Sequence, residues 1–221
     1  MNQSIAGIAL FSFATAALAM LLMLPLAVAI GWLLARTTFR GKPVVETLVM
    51  LPLVLPPVAI GLAMLQLLGR DRPLGRLFDT AGIEVVFTWK AVVLAMAVMS
   101  LPLMVLTIRA GFEHVDQRFE AMAATLGAGP LRVFWTISLP LARHSVVAGA
   151  MLGFARALGE FGATIVVAGG IPGQTQTLAV AIFNLSEAGR ESDANVLMLV
   201  SIFVALGVLA TANATLRKGR P

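Results

Sequence analysis

Long apolar runs are the feature that most restricts how this chain can fold. The first run covers residues 6–35 and contains no charged side chain. A helix needs about 20 apolar residues to cross about 30 Å of hydrocarbon, and further segments of that length follow along the chain. Only 12% of the 221 residues are charged, against about 25% in ordinary soluble domains. The sequence therefore predicts a polytopic membrane protein in contact with a lipid bilayer.

Five apolar segments are predicted to be membrane-spanning helices, because isolated strands cannot satisfy their backbone hydrogen bonds in lipid. They cover residues 6–35, 47–68, 91–108, 145–168 and 194–216. The first is too long for the apolar core of a signal peptide, so we expect it to be retained as a span. The second contains Pro52, Pro56 and Pro57, which kink or break a helix. This bend either serves helix packing or shapes a pathway.

Positive charges near the ends of the spans predict the orientation. One side carries ten of them: Arg36, Arg40, Lys42, Arg109, Arg118, Arg132, Arg143, Arg217, Lys218 and Arg220. The other side carries five, diluted by acidic residues: Arg70, Arg72, Arg76, Lys90 and Arg190. Because cytoplasmic loops carry the excess of Lys and Arg, the N-terminus is predicted outside and the C-terminus inside. Five spans require the same opposite ends.

The longest predicted cytoplasmic connection, residues 109–143, carries the most informative pattern. Residues 116–126 are rich in Ala with acidic residues near the start, which favours a short helix, and the Gly-Ala-Gly-Pro stretch at 127–130 ends it. A second short amphipathic piece contains Phe134 and Trp135. Two short helices that expose apolar side chains are typical of a docking element for a soluble partner. The alternative is an interfacial helix that lies on lipid.

This connection resembles the EAA loop of binding-protein-dependent ABC importer permeases, with the pattern Glu-Ala-Ala-x3-Gly-x9-Ile-x-Leu-Pro. Glu120 lies one position early, and Ala121 occupies the position of the consensus glutamate. The resemblance implies an all-α, type I ABC importer permease fold, with one permease domain over residues 6–216 and a loop that fits a cleft on the ATP-hydrolysing subunit. The coupling residues that it implies are Glu120, Ala121, Ala123, Gly127, Ile137, Leu139 and Pro140.

Four further stretches resemble the molybdate permease subunits of these importers, so the likeness covers nearly the whole chain. They are residues 51–57, 99–104, 154–164 and 171–177. Sulfate and thiosulfate permeases share much of the Gly-Glu-Phe-Gly stretch at 159–162, and tungstate is a further alternative; the Pro-Gly-x-Thr-x-Thr sequence and the proline-rich second span favour molybdate. The resemblance implies a homodimer that encloses the pathway in a bacterial inner membrane. It also implies cytoplasmic ATPase subunits, which bind ATP and Mg, and a periplasmic molybdate-binding protein.

This chain lacks the residues that several other classes of protein require. The chain has no cysteine, so disulfides and thiolate sites are excluded, and His114 and His144 lack metal-ligand spacing, so we expect no metal site. No Gly-x4-Gly-Lys-Ser/Thr motif occurs, so we expect no ATPase activity, no cofactor and no catalytic residue in this chain. The charged residues behind the net charge of +5 lie mostly in the predicted loops, so we expect no nucleic-acid partner.

Two transport or enzyme alternatives make different demands on the sequence. A secondary transporter or channel would usually show internal repeats or several intramembrane ionisable groups. The predicted spans here contain one pair of ionisable residues, Arg156 and Glu160, in a single span. An intramembrane enzyme would need His-Glu-x-x-His, a Ser–His pair or paired Asp at membrane depth, and the predicted spans contain none of these.

Arg156 and Glu160 fall within the fourth predicted span, four residues apart, and so would share a helix face. An ion in lipid costs about 2.5–3.5 kcal/mol on insertion scales, so neither should face lipid. The pair either fixes helix packing or places a partly compensated cation on the pathway of a dianion. After this span comes a predicted outer loop that is a candidate for docking the substrate-delivering protein, with Pro172, Gly173, Thr175 and Thr177.

Overall fold

The computed structural model describes residues 5–69 and 71–218, and these residues form helices and turns without strands. The helices are α1 Ile5–Arg36, α2 Lys42–Val54, α3 Pro57–Leu68, α4 Pro73–Thr80, α5 Trp89–His114, α6 Gln117–Thr125, α7 Pro130–Val133, α8 Leu139–Leu158, α9 Gly162–Ala168, α10 Leu178–Glu187 and α11 Glu191–Lys218. A π-helical turn, Phe134–Ser138, joins α7 to α8. The predicted all-α fold is confirmed. Arg70 and Arg220, two of the charges used to predict the orientation, lie outside the described residues.

Four helical segments among the described residues are long and apolar enough to cross a membrane. They are Ile5–Arg36, Trp89–His114, Pro130–Leu158 and Glu191–Thr211. Helices α2 and α3 make a fifth crossing if they count as one span, which is bent by 112°. The bend lies at Pro56 and Pro57, because neither residue has an N–H group with which to continue α2. The structure thus has four such segments among the described residues, or the predicted five if α2 and α3 form one span, and it places the break at two of the three prolines.

The region of the fourth predicted span, residues 145–168, differs from the prediction. It is not one helix: α8 ends at Leu158 and α9 begins at Gly162. The crossing in this part of the chain is Pro130–Leu158, which starts well before the predicted span. In the break at residues 159–161, the Glu160 carboxylate accepts a hydrogen bond from the backbone N–H of Ala163, 2.7 Å away, and so satisfies a free donor in the first turn of α9. Helix α10, which follows the outer loop, was not predicted.

Helix α5 is the centre of the bundle: it packs against both α1 and α8, and half of its residues are buried. Small residues let the three helices approach closely at Ile108. A Cβ added to Gly31 of α1 would lie 3.1 Å from Ile108 Cγ2, and one added to Gly149 of α8 would lie 2.7 Å from Ile108 Cγ1. Close contact through glycine is a common way for membrane helices to associate. The part of the bundle around Ile108 is therefore tightly packed.

The outer surface of the bundle is apolar. Helices α2, α3 and α11 bury few residues and expose large side chains, among them Leu48, Val54, Leu67, Phe203 and Leu206. A soluble monomer rarely exposes apolar surface on this scale. Lipid and further subunits are the environments that suit such a surface.

Candidate functional site

Helix α6 projects between the spans α5 and α8 and has the ends that its sequence predicts. Asp116 precedes it, and the Asp116 carboxylate accepts a hydrogen bond from the Arg118 N–H at 2.9 Å. Gly127 follows with φ +85, and its N–H donates to the Ala124 carbonyl at 3.0 Å. This left-handed conformation favours glycine. Gly127 therefore ends α6 and reverses the chain, as its place in the motif suggests.

The region from α6 to the π-helical turn exposes a set of large apolar side chains. We call this set the apolar patch, and each member is more than half exposed: Phe119, Met122, Leu126, Leu131 and Trp135. Two interpretations from the sequence remain, since such side chains require either a protein partner or the lipid surface. Helix α6 has no fully buried residue, so the faces that do not point at the bundle are accessible to a partner.

Pro140 accounts for the π-helical turn that leads into α8. The Leu139 N–H donates to the Phe134 carbonyl, five residues back. Pro140 has no N–H to donate to the Thr136 carbonyl, and its ring crowds that carbonyl in a regular helix. The wider turn relieves this conflict, while Leu139 packs into the core formed by α1, α5 and α8. The Ile-x-Leu-Pro part of the motif thus fixes how the connection between α6 and α8 enters α8.

Aromatic rings hold this turn against the bundle. The ring of Phe134 packs edge-on against Trp32 of α1, with centroids 5.2 Å apart, and lies 6.2 Å from Phe112 of α5. Trp135, one residue on, packs against Phe134 at 5.1 Å and is otherwise exposed. Phe134 thus anchors the π-helical turn to the bundle, and Trp135 belongs to the apolar patch.

Glu120 faces the bundle and not the surrounding solvent. Its Oε1 accepts from Arg36 Nε at 3.0 Å and from Ser138 Oγ at 2.7 Å. Arg36 also donates, through Nη2, to the Val115 carbonyl at 2.8 Å. Ala121, at the position of the family's glutamate, is exposed, and Ala123 is half-buried. In the sequence, Arg36 is recognisable only as an orientation charge and Ser138 carries no signal, because no sequence spacing links either residue to Glu120.

Arg156 and Glu160 form the predicted ion pair, with Arg156 Nη1 2.9 Å from Glu160 Oε2. Arg156 lies in the last turn of α8, and Glu160 lies in the break before α9, so they do not share one continuous helix. The Glu160 side chain is 1% exposed and that of Arg156 is 26% exposed. Glu160 also accepts the Ala163 N–H. The carboxylate thus joins two helices, and Arg156 has no second hydrogen-bond acceptor among the residues described.

The hydroxyls of the predicted outer loop are turned inward. Thr175 Oγ1 donates to the Ala168 carbonyl at 2.7 Å and accepts from the Ile171 N–H at 2.8 Å. Thr177 Oγ1 accepts from the Val180 N–H at 3.4 Å, and both threonines are buried. Pro172 and Gly173 are exposed. The threonines therefore fold the loop, and only its tip offers a surface for docking, a role that stays a prediction.

The chain belongs to the family of binding-protein-dependent transport system inner membrane components, whose sequence model matches residues 27–216. It is thus a membrane-spanning permease component and not the ATPase of such a system. The fold agrees with that of the MetNI methionine ABC transporter in inward-facing conformations. That comparison gives a TM-score of 0.73 with 12% sequence identity and covers 100% of both chains. At this identity it shows the fold alone.

Within this family, the chain is similar to molybdenum transport system permease proteins called ModB. It is 47% identical over 199 residues to ModB of Escherichia coli strain K12, which covers 89% of this chain and 87% of the relative. It is 45% identical over 197 residues to ModB of Haemophilus influenzae, which covers 88% of this chain and 86% of the relative. These similarities extend over spans and loops alike.

Proposed function

We propose that this chain is the membrane-spanning subunit of an ATP-driven molybdate importer. The observation that carries the proposal is the 47% identity to a molybdenum transport permease over 89% of the chain. The sequence stretches at 51–57 and 171–177 support molybdate as the ion. Sulfate, thiosulfate and tungstate are the alternative ions, and a secondary oxyanion transporter is the alternative class.

The importer that we propose contains two copies of this chain with the ion pathway between them. Within one chain, a groove of about 460 Å³ between α1 and α8 is lined by apolar side chains alone, which do not suit a dianion. A pathway at the interface of two copies allows the faces that a monomer exposes to enclose water. A periplasmic molybdate-binding protein would deliver the ion, and the exposed tip at Pro172 and Gly173 is the proposed docking loop for it.

The proposed partner of the apolar patch is a cytoplasmic ATPase subunit, which binds ATP and Mg and hydrolyses the nucleotide. Helix α6 is short, uncovered and closed by the left-handed Gly127, which suits insertion into a cleft. Closure of two ATPase subunits around ATP would draw the two α6 helices together. This movement would shift the dimer towards a state open to the outside, and release would reverse it. The mechanism is alternating access.

Uptake by the reconstituted complex tests the proposal. The permease and its ATPase are reconstituted in proteoliposomes together with the binding protein. Uptake of radioactive molybdate is then measured with and without ATP on the ATPase side of the membrane. We expect uptake to require both ATP and the binding protein. Excess unlabelled molybdate should suppress this uptake far more than excess sulfate does. Equal suppression by sulfate would assign the chain to the sulfate group. Uptake without the ATPase would support a secondary transporter instead.

A further inference from the structure

Glu120, Arg36 and Ser138 meet at a single carboxylate oxygen, and we call this arrangement the clasp. Arg36 is the last residue of α1, Glu120 belongs to α6, and Ser138 ends the π-helical turn before α8. The same arginine reaches the carbonyl of Val115, the residue that caps the end of α5. The ends of three spans therefore converge on α6, the helix that carries Phe119 and Met122 of the apolar patch.

We propose that Glu120 is a positioning residue that locks α6 to α1, α5 and α8, so that displacement of α6 by the motor moves these spans together. The inference rests on the proposed function, since it states how the ATPase stroke reaches the spans. Glu120 would act through Arg36 and Ser138 and would not contact the ATPase itself. Position 121, where the family places its glutamate, is exposed here and holds alanine.

Burial and chemistry both favour this assignment. The side chains of Arg36 and Glu120 are 8% and 18% exposed, and Ser138 is buried, so the carboxylate has little surface left for a partner. Hydrogen bonds between a guanidinium and a carboxylate are shorter, stronger and more directional than neutral ones. Apolar packing of Phe134 on Trp32 also joins the loop to α1, but such contacts are not directional and allow one element to slide on another.

The first test removes the clasp without removing the docking surface. The variants Glu120→Gln, Glu120→Ala and Ser138→Ala are assembled with the ATPase and binding protein. Two quantities are compared with wild type: the ATPase retained on the purified permease and the molybdate ions imported per ATP hydrolysed. We expect Glu120→Ala to retain the ATPase and to lower ions per ATP about tenfold or more, since charged hydrogen bonds are among the stronger ones. Glu120→Gln and Ser138→Ala should show smaller losses.

Glu113→Gln is the matched control, because it makes the same change in an exposed ion pair with Arg109 at the same end of the bundle. It should leave ions per ATP unchanged. Loss of ATPase binding in Glu120→Ala, with a normal ratio in the complexes that remain, would identify Glu120 as a contact to the ATPase and overturn the clasp. A wild-type ratio in Glu120→Ala would also overturn it.

A covalent replacement of the clasp keeps the inference testable if these variants fold poorly. The chain contains no cysteine, so the double variant Arg36→Cys/Glu120→Cys can be joined selectively by a cleavable bifunctional thiol reagent before the ATPase is added. Cross-linking should restore ions per ATP, and cleavage should abolish it again, which a defect in folding alone would not do. If cross-linking does not restore ions per ATP, the proposed role of the clasp is wrong. If wild type itself shows no ATP-dependent molybdate uptake, the proposed function falls as well.

Discussion

Glu160 stabilises two parts of the chain with one buried side chain. One oxygen accepts from Arg156 and the other from the N–H of Ala163, so the carboxylate neutralises a cation and begins α9. A buried charge without its partner is costly, whereas a neutral amide at this position could still accept the Ala163 N–H. Variants of Glu160 can therefore separate the ion pair from the helix cap.

Removal of either charge should lower the amount of folded protein. Arg156→Ala leaves a carboxylate that is 1% exposed without its cation, and loss of one partner of a buried pair costs about 3–5 kcal/mol. Glu160→Ala removes the cap as well and should be the more severe change. The double variant Arg156→Ala/Glu160→Gln keeps an acceptor for Ala163 and carries no charge, so folded protein should recover. Detergent-extracted monodisperse protein is the measurement.

Uptake by the same variants distinguishes a packing role from a pathway role. If the pair serves packing alone, the double variant recovers molybdate uptake together with folded protein. If Arg156 also attracts the dianion, the double variant recovers protein but not uptake, and Arg156→Lys keeps part of the activity because a point charge remains. Normal folding and uptake in both single variants would contradict both roles.

Among the elements, the turn after α6 is where a single residue can test the proposed docking to the ATPase. A Cβ at Gly127 would meet no atom within 4 Å, so a side chain there has space but must adopt φ +85. Asn and Asp both tolerate that conformation better than other residues. Gly127→Asp should abolish ATPase association or stimulation while membrane insertion is kept, since its charge would enter a closed cleft unpaired. Gly127→Asn, of nearly the same size, should retain much of both.

The comparison of Gly127→Asp with Gly127→Asn is made by co-purification of the ATPase and by ATP hydrolysis stimulated by the binding protein. A loss that is equal in both variants would mean that backbone strain or size, and not charge, is responsible. Full transport by Gly127→Asp with normal ATPase association would show that this turn does not dock the motor.

Elements marked by local signals could be predicted from the sequence. Hydropathy marks α1, α5 and α11, because a span must be apolar over its whole length. Asp116 and Gly127 mark the two ends of α6 through capping and left-handed backbone. Pro56 and Pro57 mark the break in the second span through their missing donors.

Elements that depend on distant or side-chain contacts could not be predicted. The break between α8 and α9 contains no proline, and the Glu160 carboxylate that accepts the Ala163 N–H there lies within an apolar run. Thr175 looked like a surface residue because it is polar and lies in a loop, but its hydroxyl bonds the backbone at the end of α9. Arg36 and Glu120 are 84 residues apart, and only the packing of α1 beside α6 brings them together.

At the scale of the whole molecule, the candidate sites follow the length of the bundle. The clasp and the apolar patch lie at the end of α1 and α5 that contains Arg36 and Val115. The outer loop lies at the opposite end, where Ser12 near the start of α1 accepts the Leu178 N–H at 2.7 Å. Helices α1, α5 and α8 connect the two ends. A displacement of α6 by the proposed ATPase partner would thus have a packed route to the outer loop.

This arrangement requires a definite topology, which reporter fusions measure. The excess of Lys and Arg on the α6 side remains nine to four when Arg70 and Arg220 are set aside, so fusions after Gly41, Gly129 and the C-terminus should report the cytoplasm. Fusions after Gly82 and Gly189, both in exposed turns, should report the periplasm. Glycines in exposed turns are chosen because insertion there disturbs little packing.

Gly82 is the decisive position, because it decides whether α2 and α3 cross the membrane together. The pair is bent by 112°, so it either spans the bilayer as a broken helix or enters and leaves on the same side. A crossing puts Gly82 opposite Gly41 and gives five spans with ends on opposite sides. A re-entrant pair puts both glycines on one side, gives four spans, and places both termini together. A periplasmic signal after Gly129 would contradict the topology altogether, since the apolar patch could not then reach a cytoplasmic ATPase.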